Sequence, residues 1–404
     1  MDSKMKGSSY QQITEKLNTL IAMAKSTSTT NKEDFFHTYG FLESNGFKIA
    51  PEDKHEVHQV LRDSYNSLSF FNSKVSFDYF KKDIIEIIKD KLHSSSRVND
   101  EDATLLVNKY KNLPIKTYVV YREIYGLELD QNPPKLGLFT IRNSSTLITL
   151  LKQNKISLAP ETSCVIEVTV EAAEPEKAQD EANVLFEQFD FVIRYLIGDT
   201  KDLDIGITDF SVNRTFRSFV FCKGIPQAIA DKGKGAIQDM TFSTIAKVTD
   251  ESIMGLFEFI GNKHPSDIAK RILLAIQWIS EAFKDSSNES AFLKSVVAME
   301  ILCSNNLERS ISSNLAEITA LLVGENYETR LKIKKDIKNL YSKRSGIVHS
   351  GNKCIENDDL KLLWFYADYV IRQLLSFEKH GTFKSIQEIF DQIEELKYNN
   401  INFE

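Results

Sequence analysis

The sequence predicts a multidomain protein with a mostly helical N-terminal region, an α+β middle region and an all-α helical bundle at its C-terminus. Three observations carry this. The chain has 404 residues, too many for one simple core. From Lys116 the residues turn β-branched and aromatic, the signature of strands. From Pro265 onward apolar residues recur at helical spacing with only short breaks, which suits an antiparallel bundle. The expected regions are 1–112, 113–250 and 251–404.

Residues 1–8 are polar and read as unstructured, after which Ile13, Leu17, Leu20, Ile21 and Ala24 mark one face of a short helix. The Ser/Thr run at 26–31 reads as a connector, and Pro51-Glu52-Asp53 as a helix start. That helix continues through Val57, Leu61 and Tyr65. Phe77, Phe80, Ile84 and Ile88 define another, and Asn99 to Asp102 caps a third. His55 and His58 are three apart rather than the four of a zinc-protease helix, so a solvated face is expected.

In the middle region, strands are expected at 117–121, 136–141, 164–170, 205–210 and 215–222. Pro175 opens a helix that Gly198 ends. Residues 224–250 read as a linker, within which Lys232-Gly233-Lys234-Gly235 lacks phosphate-loop spacing and reads as a turn. Six helices follow, near 268–283, 291–303, 311–323, 327–345, 360–377 and 383–396.

The composition, with 42% hydrophobic and 26% charged residues, is that of a soluble globular chain. No apolar run reaches membrane-spanning length and no secretory signal opens the chain. The four cysteines, Cys164, Cys222, Cys303 and Cys354, form no C-x-x-C pair and read as buried free thiols in a reducing, cytoplasmic setting.

The charge distribution is less even. Between Arg330 and Lys353 eight Lys/Arg face one acid, Asp336, inside a chain of net charge -7. Such an inversion is an electrostatic footprint for a polyanion. Within it Arg344 precedes His349 by five positions, near a helix end. Arginine matches phosphate oxygens, and histidine, with a reference pKa of about 6.5, can move a proton near neutrality. These are the parts needed to cut RNA by its own 2′-hydroxyl. Lys334, Lys335, Lys338, Lys343 and Lys353 are then expected to hold the RNA backbone without reading sequence. On an uninterrupted helix Arg344 and His349 would point about 140° apart, so the expectation is that the helix ends or bends near Gly346. The competing reading pairs Arg344 with a buried acid such as Glu300 and makes His349 a helix cap.

Ala298-Met299-Glu300-Ile301-Leu302, then Leu340-Tyr341, and Arg344-Ser345 through Val348-His349-Ser350-Gly351, resemble the Apea-like group of the HEPN superfamily over roughly residues 265–380. The resemblance implies a helical bundle that pairs as a homodimer, an endoribonuclease that needs no metal or other cofactor, and Arg344 and His349 as its catalytic pair. Ser345, Tyr341 and Glu300 would support them. It also implies an effector of antiphage, abortive-infection defence, in which the preceding 250 residues meet a phage-derived trigger or a regulatory partner. The sequence departs from the family in two places. Ser345 follows the arginine where a stronger polar residue is common, and Gly351 stands where one toxin subgroup has a tyrosine. A non-catalytic module that binds RNA, a nucleotide or a protein is the alternative.

Overall fold

The computed structural model describes residues 2–25, 54–67, 69–129, 135–157, 160, 162–198, 214–234, 240–241, 251–285, 287–304, 311–351 and 355–399. Helices α1 (Asp2–Lys25), α2 (Lys54–Asn66), α3 (Ser69–Lys74), α4 (Phe77–His93) and α5 (Asp100–Lys111) come first. A mixed region follows, with β1 (Lys116–Ile124), β2 (Leu127–Glu128), β3 (Phe139–Asn143), α6 (Ser145–Gln153), β4 (Cys164–Ala172), α7 (Pro175–Ile197), β5 (Arg214–Cys222), β6 (Ile225–Lys234) and β7 (Met240–Thr241). Helices α8 (Glu251–Phe259), α9 (Asp267–Phe283), α10 (Asn288–Cys303), α11 (Ile311–Val323), α12 (Tyr327–Ser350), α13 (Asn357–His380) and α14 (Ile386–Asn399) complete the described chain. The larger sheet has the order β3-β4-β1-β5-β6, and β2 pairs in parallel with β7. A mostly helical chain with a small sheet is therefore the observed class. Among the described residues no helix is long and apolar enough to cross a membrane.

Two expectations of connecting structure fail. Residues 225–234, read as linker, form strand β6, and Lys232, Gly233 and Lys234 lie in it rather than in a turn. The turn is earlier. Lys223 and Gly224 take φ of 50° and 76°, the left-handed pair that reverses a hairpin in two residues. The N-terminus also differs, because α1 begins at Asp2 instead of after residue 8. Once Ile13 to Ile21 are packed, each further helical residue adds a backbone bond without a new nucleus. The segments expected as connector (26–31), helix start (51–53) and strand (205–210) lie outside the described residues.

The chain divides into two compact units. The first comprises Met1–Val120, Val170–Glu181 and Val220–Ala228. Its core gathers Ile13, Leu17 and Ile21 of α1 with Leu61, Phe71, Phe80, Ile84, Val107 and Tyr110. Asn99 and Asp102 close a reciprocal cap on α5, as their spacing predicts. Glu174, only 3% exposed, ties two helix starts together. Its carboxylate accepts the backbone N–H groups of Glu176 at 2.7 Å and Lys177 at 2.9 Å, capping α7, and that of Ser76 at 2.8 Å, just ahead of α4. His55 is exposed, while His58 is half-buried against the edge of Phe77 and accepts a hydrogen bond from Arg62 Nε at 3.2 Å.

The second unit comprises Tyr121–Thr169, Ala182–Phe219 and Ile229–Glu404. Antiparallel β3 and β4 set Phe139 opposite Val168 and Ile141 opposite Ile166, with the four side chains buried. Beyond them the unit is a bundle. Helix α9 packs on α10, α12 on α11, and α13 against α8, α9, α10 and α11. Ile268, Ile272, Ile276 and Ile279 of α9 and Phe292, Val296 and Met299 of α10 are buried, in the i, i+3, i+4 pattern that predicts them. Cys164 and Cys303 are buried free thiols and Cys222 is half-buried, whereas Cys354 lies outside the described residues.

Candidate nucleic-acid interface

Helix α12 carries every expected cation of the site except Lys353, which lies outside the described residues. Its start is fixed chemically. Asn326 Oδ1 accepts Thr329 N–H at 2.9 Å and Thr329 Oγ1 accepts Asn326 N–H at 3.1 Å. Its end is fixed by Gly351, at φ 61°, whose N–H turns back on the Ile347 carbonyl at 3.2 Å. Ile333, Ile337 and Leu340 bury the face turned to the bundle.

The helix does not stop or bend at Gly346. It runs unbroken through His349 to Ser350, which corrects the expected end near Ser345. Glycine weakens a helix interior by only about 0.5–1 kcal/mol relative to alanine. The further helical backbone bonds through Ser350 and the Gly351 cap outweigh that. On one continuous helix the five steps between Arg344 and His349 leave them about 140° apart and roughly 7.5 Å along the axis. One chain therefore does not turn both side chains to one phosphate.

Arg344 is half-buried, with its guanidinium carbon 5.6 Å from the centre of the Tyr341 ring. Burial, then the charge and hydrogen bonding of Glu300 on α10, raise the Tyr341 phenol above its ordinary value, while Arg344 pulls it down. Oε1 of Glu300 is buried without a hydrogen-bond partner among the described residues. Tyr341, Arg344 and Glu300 thus form one local group. The expected ion pair from Arg344 to Glu300 is absent among the described residues. Ser345 is exposed, and His349 is exposed in the last turn, where the left-handed Gly351 makes the cap.

The lysines divide into two classes. Lys343 is engaged within the bundle, its Nζ 2.6 and 2.7 Å from the two carboxylate oxygens of Asp359 on α13. Lys334 lies 3.5 Å from Glu317 on α11. Both of these lysines therefore sit beside a carboxylate of a neighbouring helix. Lys332, Lys335 and Lys338 are exposed and make no ion pair among the described residues. Arg330 Nε donates to the Gly324 carbonyl at 2.9 Å. The positive face is real but narrower than a count of basic residues implies. Asp359 was absent from the expected site, although the acidic start of α13, Glu356 to Asp359, signals a partner for the preceding basic helix.

No cluster of three or more histidine, cysteine, aspartate or glutamate side chains able to hold a metal occurs among the described residues. No family model matches the chain, and no curated protein or solved structure is similar to it.

Proposed function

We propose that the C-terminal bundle is a HEPN-type endoribonuclease that cuts RNA through the strand's own 2′-hydroxyl. The observation that carries this is Arg344, half-buried on Tyr341 with no acid paired to it among the described residues, on the same helix as an exposed His349. In the reaction the 2′-oxygen bonds to phosphorus as a base takes its proton. The bond to the 5′-oxygen breaks as that oxygen is protonated. The products are a 2′,3′-cyclic phosphate and a 5′-hydroxyl, and no metal is required. His349 supplies a proton-moving group and Arg344 the phosphate clamp. Because the two diverge on α12, a homodimer brings His349 of one copy to the Arg344 of the other. In a cell such an enzyme acts as an antiphage, abortive-infection effector in the cytoplasm, with the N-terminal region as the place where a phage-derived trigger or regulatory partner acts.

The test is incubation of purified protein with RNA in EDTA, followed by end analysis. Cyclic-phosphate ends that vanish with Arg344→Ala and with His349→Ala support the proposal. Intact RNA, or cleavage unchanged in both variants, overturns it.

A second reading, a non-catalytic module that binds RNA, a nucleotide or a protein, is favoured by the unbroken α12, which keeps the pair apart within one chain. It expects both alanine variants to bind RNA as the parent does and no cleavage at any protein concentration.

A further inference from the structure

We infer, on the reading of this bundle as one that acts on RNA, that Phe365 and Tyr369 of α13 form a stacking platform for unpaired bases, with Lys332 and Lys335 of α12 holding the backbone beside it. Phe365 is 51% and Tyr369 47% exposed, and their rings meet at 4.7 Å with a tilt of 47°. Two large aromatics one helical turn apart leave apolar faces in water, a cost the fold does not need to bear on a solvent face.

The register of α12 and α13 places the lysines. Lys343 meets Asp359, and seven residues earlier on α12, Asp336 accepts the Tyr366 hydroxyl at 2.7 Å, seven residues later on α13. The helices are therefore antiparallel along one line of contact. That register brings Tyr369 to the level between Lys332 and Lys335, and Phe365 one turn along. In each helix the residues on one side of the Asp336–Tyr366 bond are buried, Ile337 and Leu340 in α12 and Ala367 and Val370 in α13. Those on the other side, Lys332 and Lys335 with Phe365 and Tyr369, are exposed, so the four share one surface. Tyr366 backs this surface, its ring 5.6 Å from Phe365.

The choice of occupant follows from charge. An apolar patch for a protein partner has no need of unneutralised cations, and Lys332 and Lys335 carry none of the ion pairs that engage Lys334 and Lys343. Lys361, exposed one turn before Phe365, adds a third cation. Alternating positive charge and π-faces fits a polyanion whose bases are free to stack. A duplex hides those faces, so the ligand class is single-stranded RNA or an unpaired loop.

The test uses the full chain carrying His349→Ala, so that RNA survives, and fluorescence anisotropy with a labelled single-stranded oligoribonucleotide and its duplex. Adding Phe365→Leu and Tyr369→Leu keeps apolar surface but removes the rings. Affinity for the single strand is expected to fall about 5- to 150-fold per lost stack, with duplex affinity unchanged. Lys332→Ala with Lys335→Ala is expected to reduce the slope of log affinity against log salt by about 0.7 per lost phosphate contact. Unchanged single-strand binding by the leucine variant overturns the platform, as does an equal loss for the duplex. A change of oligomeric mass in that variant also overturns it, in favour of a protein interface. Failure of the ribonuclease reading registers elsewhere, as RNA left intact by the unsubstituted protein in EDTA whatever the binding result.

Discussion

Lys343 and Asp359 are joined by two contacts, 2.6 and 2.7 Å, between the last turns of α12 and the first turn of α13. The same carboxylate accepts the Glu356 backbone N–H at 3.1 Å, so one side chain caps a helix and neutralises a cation. Asp359→Ala is expected to lower stability by about 1–2 kcal/mol, since it loses both roles. Lys343→Ala is expected to cost under about 1 kcal/mol, because its side chain is a third exposed. Urea unfolding of the single and double variants measures the coupling. RNA affinity should be nearly unaffected by Lys343→Ala, and a drop equal to that from Lys335→Ala would show that Lys343 leaves Asp359 to bind RNA.

If the cleft is shared between two copies, mixing inactive variants restores function. Arg344→Ala and His349→Ala chains, each without activity alone, should recover up to about a quarter of the parental rate after co-refolding. One hybrid site is then intact and the other doubly impaired. Cleavage assays of the mixture against each variant alone provide the comparison, and no recovery would overturn the shared cleft.

The two glycines near the end of α12 have opposite expectations. Gly346 lies at a helical φ, so Gly346→Ala should raise stability by about 0.5–1 kcal/mol. Gly351 sits at φ 61° with open space around it, and Gly351→Ala should cost about 1 kcal/mol through backbone strain alone. Thermal melts of both variants suffice. A larger loss at Gly346 would mean that the chain bends there after all.

Burial pushes the Glu174 carboxyl up to about 7 from an ordinary 4.5. Against burial, hydrogen bonds from Glu174 and Lys82 bring Glu176 down to about 2. The folded state thus holds the Glu174 proton more tightly than the unfolded chain does. That contribution is fully present below pH 4.5 and is lost as pH rises through 7, whereas the Glu176 contribution is constant across this window. Amide protection of Glu176, Lys177 and Ala178, measured by hydrogen exchange and corrected for intrinsic rate, should be greater at pH 5.5 than at pH 8. Glu174→Ala should abolish the difference and lower protection at both.

Burial raises the Cys303 thiol to about 12, which leaves almost no thiolate at pH 8. Iodoacetamide should fail to label Cys303 in the native protein and label it in urea, as read by mass spectrometry of peptides.

The bundle was legible because its helices carry long apolar stripes. The expected 311–323 matches α11 at both ends, and α9 and α10 differ by only a few residues. Short elements were not. Ser145–Gln153 offers only Leu147 and Leu151 for burial, too few to set a period. Ile225–Lys234 mixes proline, glycine and lysine, and its strand character comes from its place at the sheet edge rather than from its own residues. At the site, the basic helix and the Arg344–His349 spacing were readable, but the acids that quench Lys334 and Lys343 come from α11 and α13. The acidic start of α13 signals that a partner exists, but which lysine each acid meets depends on packing between helices. The end of α12 was misjudged for a related reason, since Gly346 and Gly351 are equal candidates until a backbone angle separates them.

The unbroken α12 has one more consequence. A rigid rod that presents a cation on one side and an imidazole on another behaves as a two-sided tool. Neither side can be brought to the other by a small local rearrangement, because the helix between them has no joint. Any chemistry that requires both must take its second group from another surface, so its site exists only where two surfaces are held together and not in the single chain.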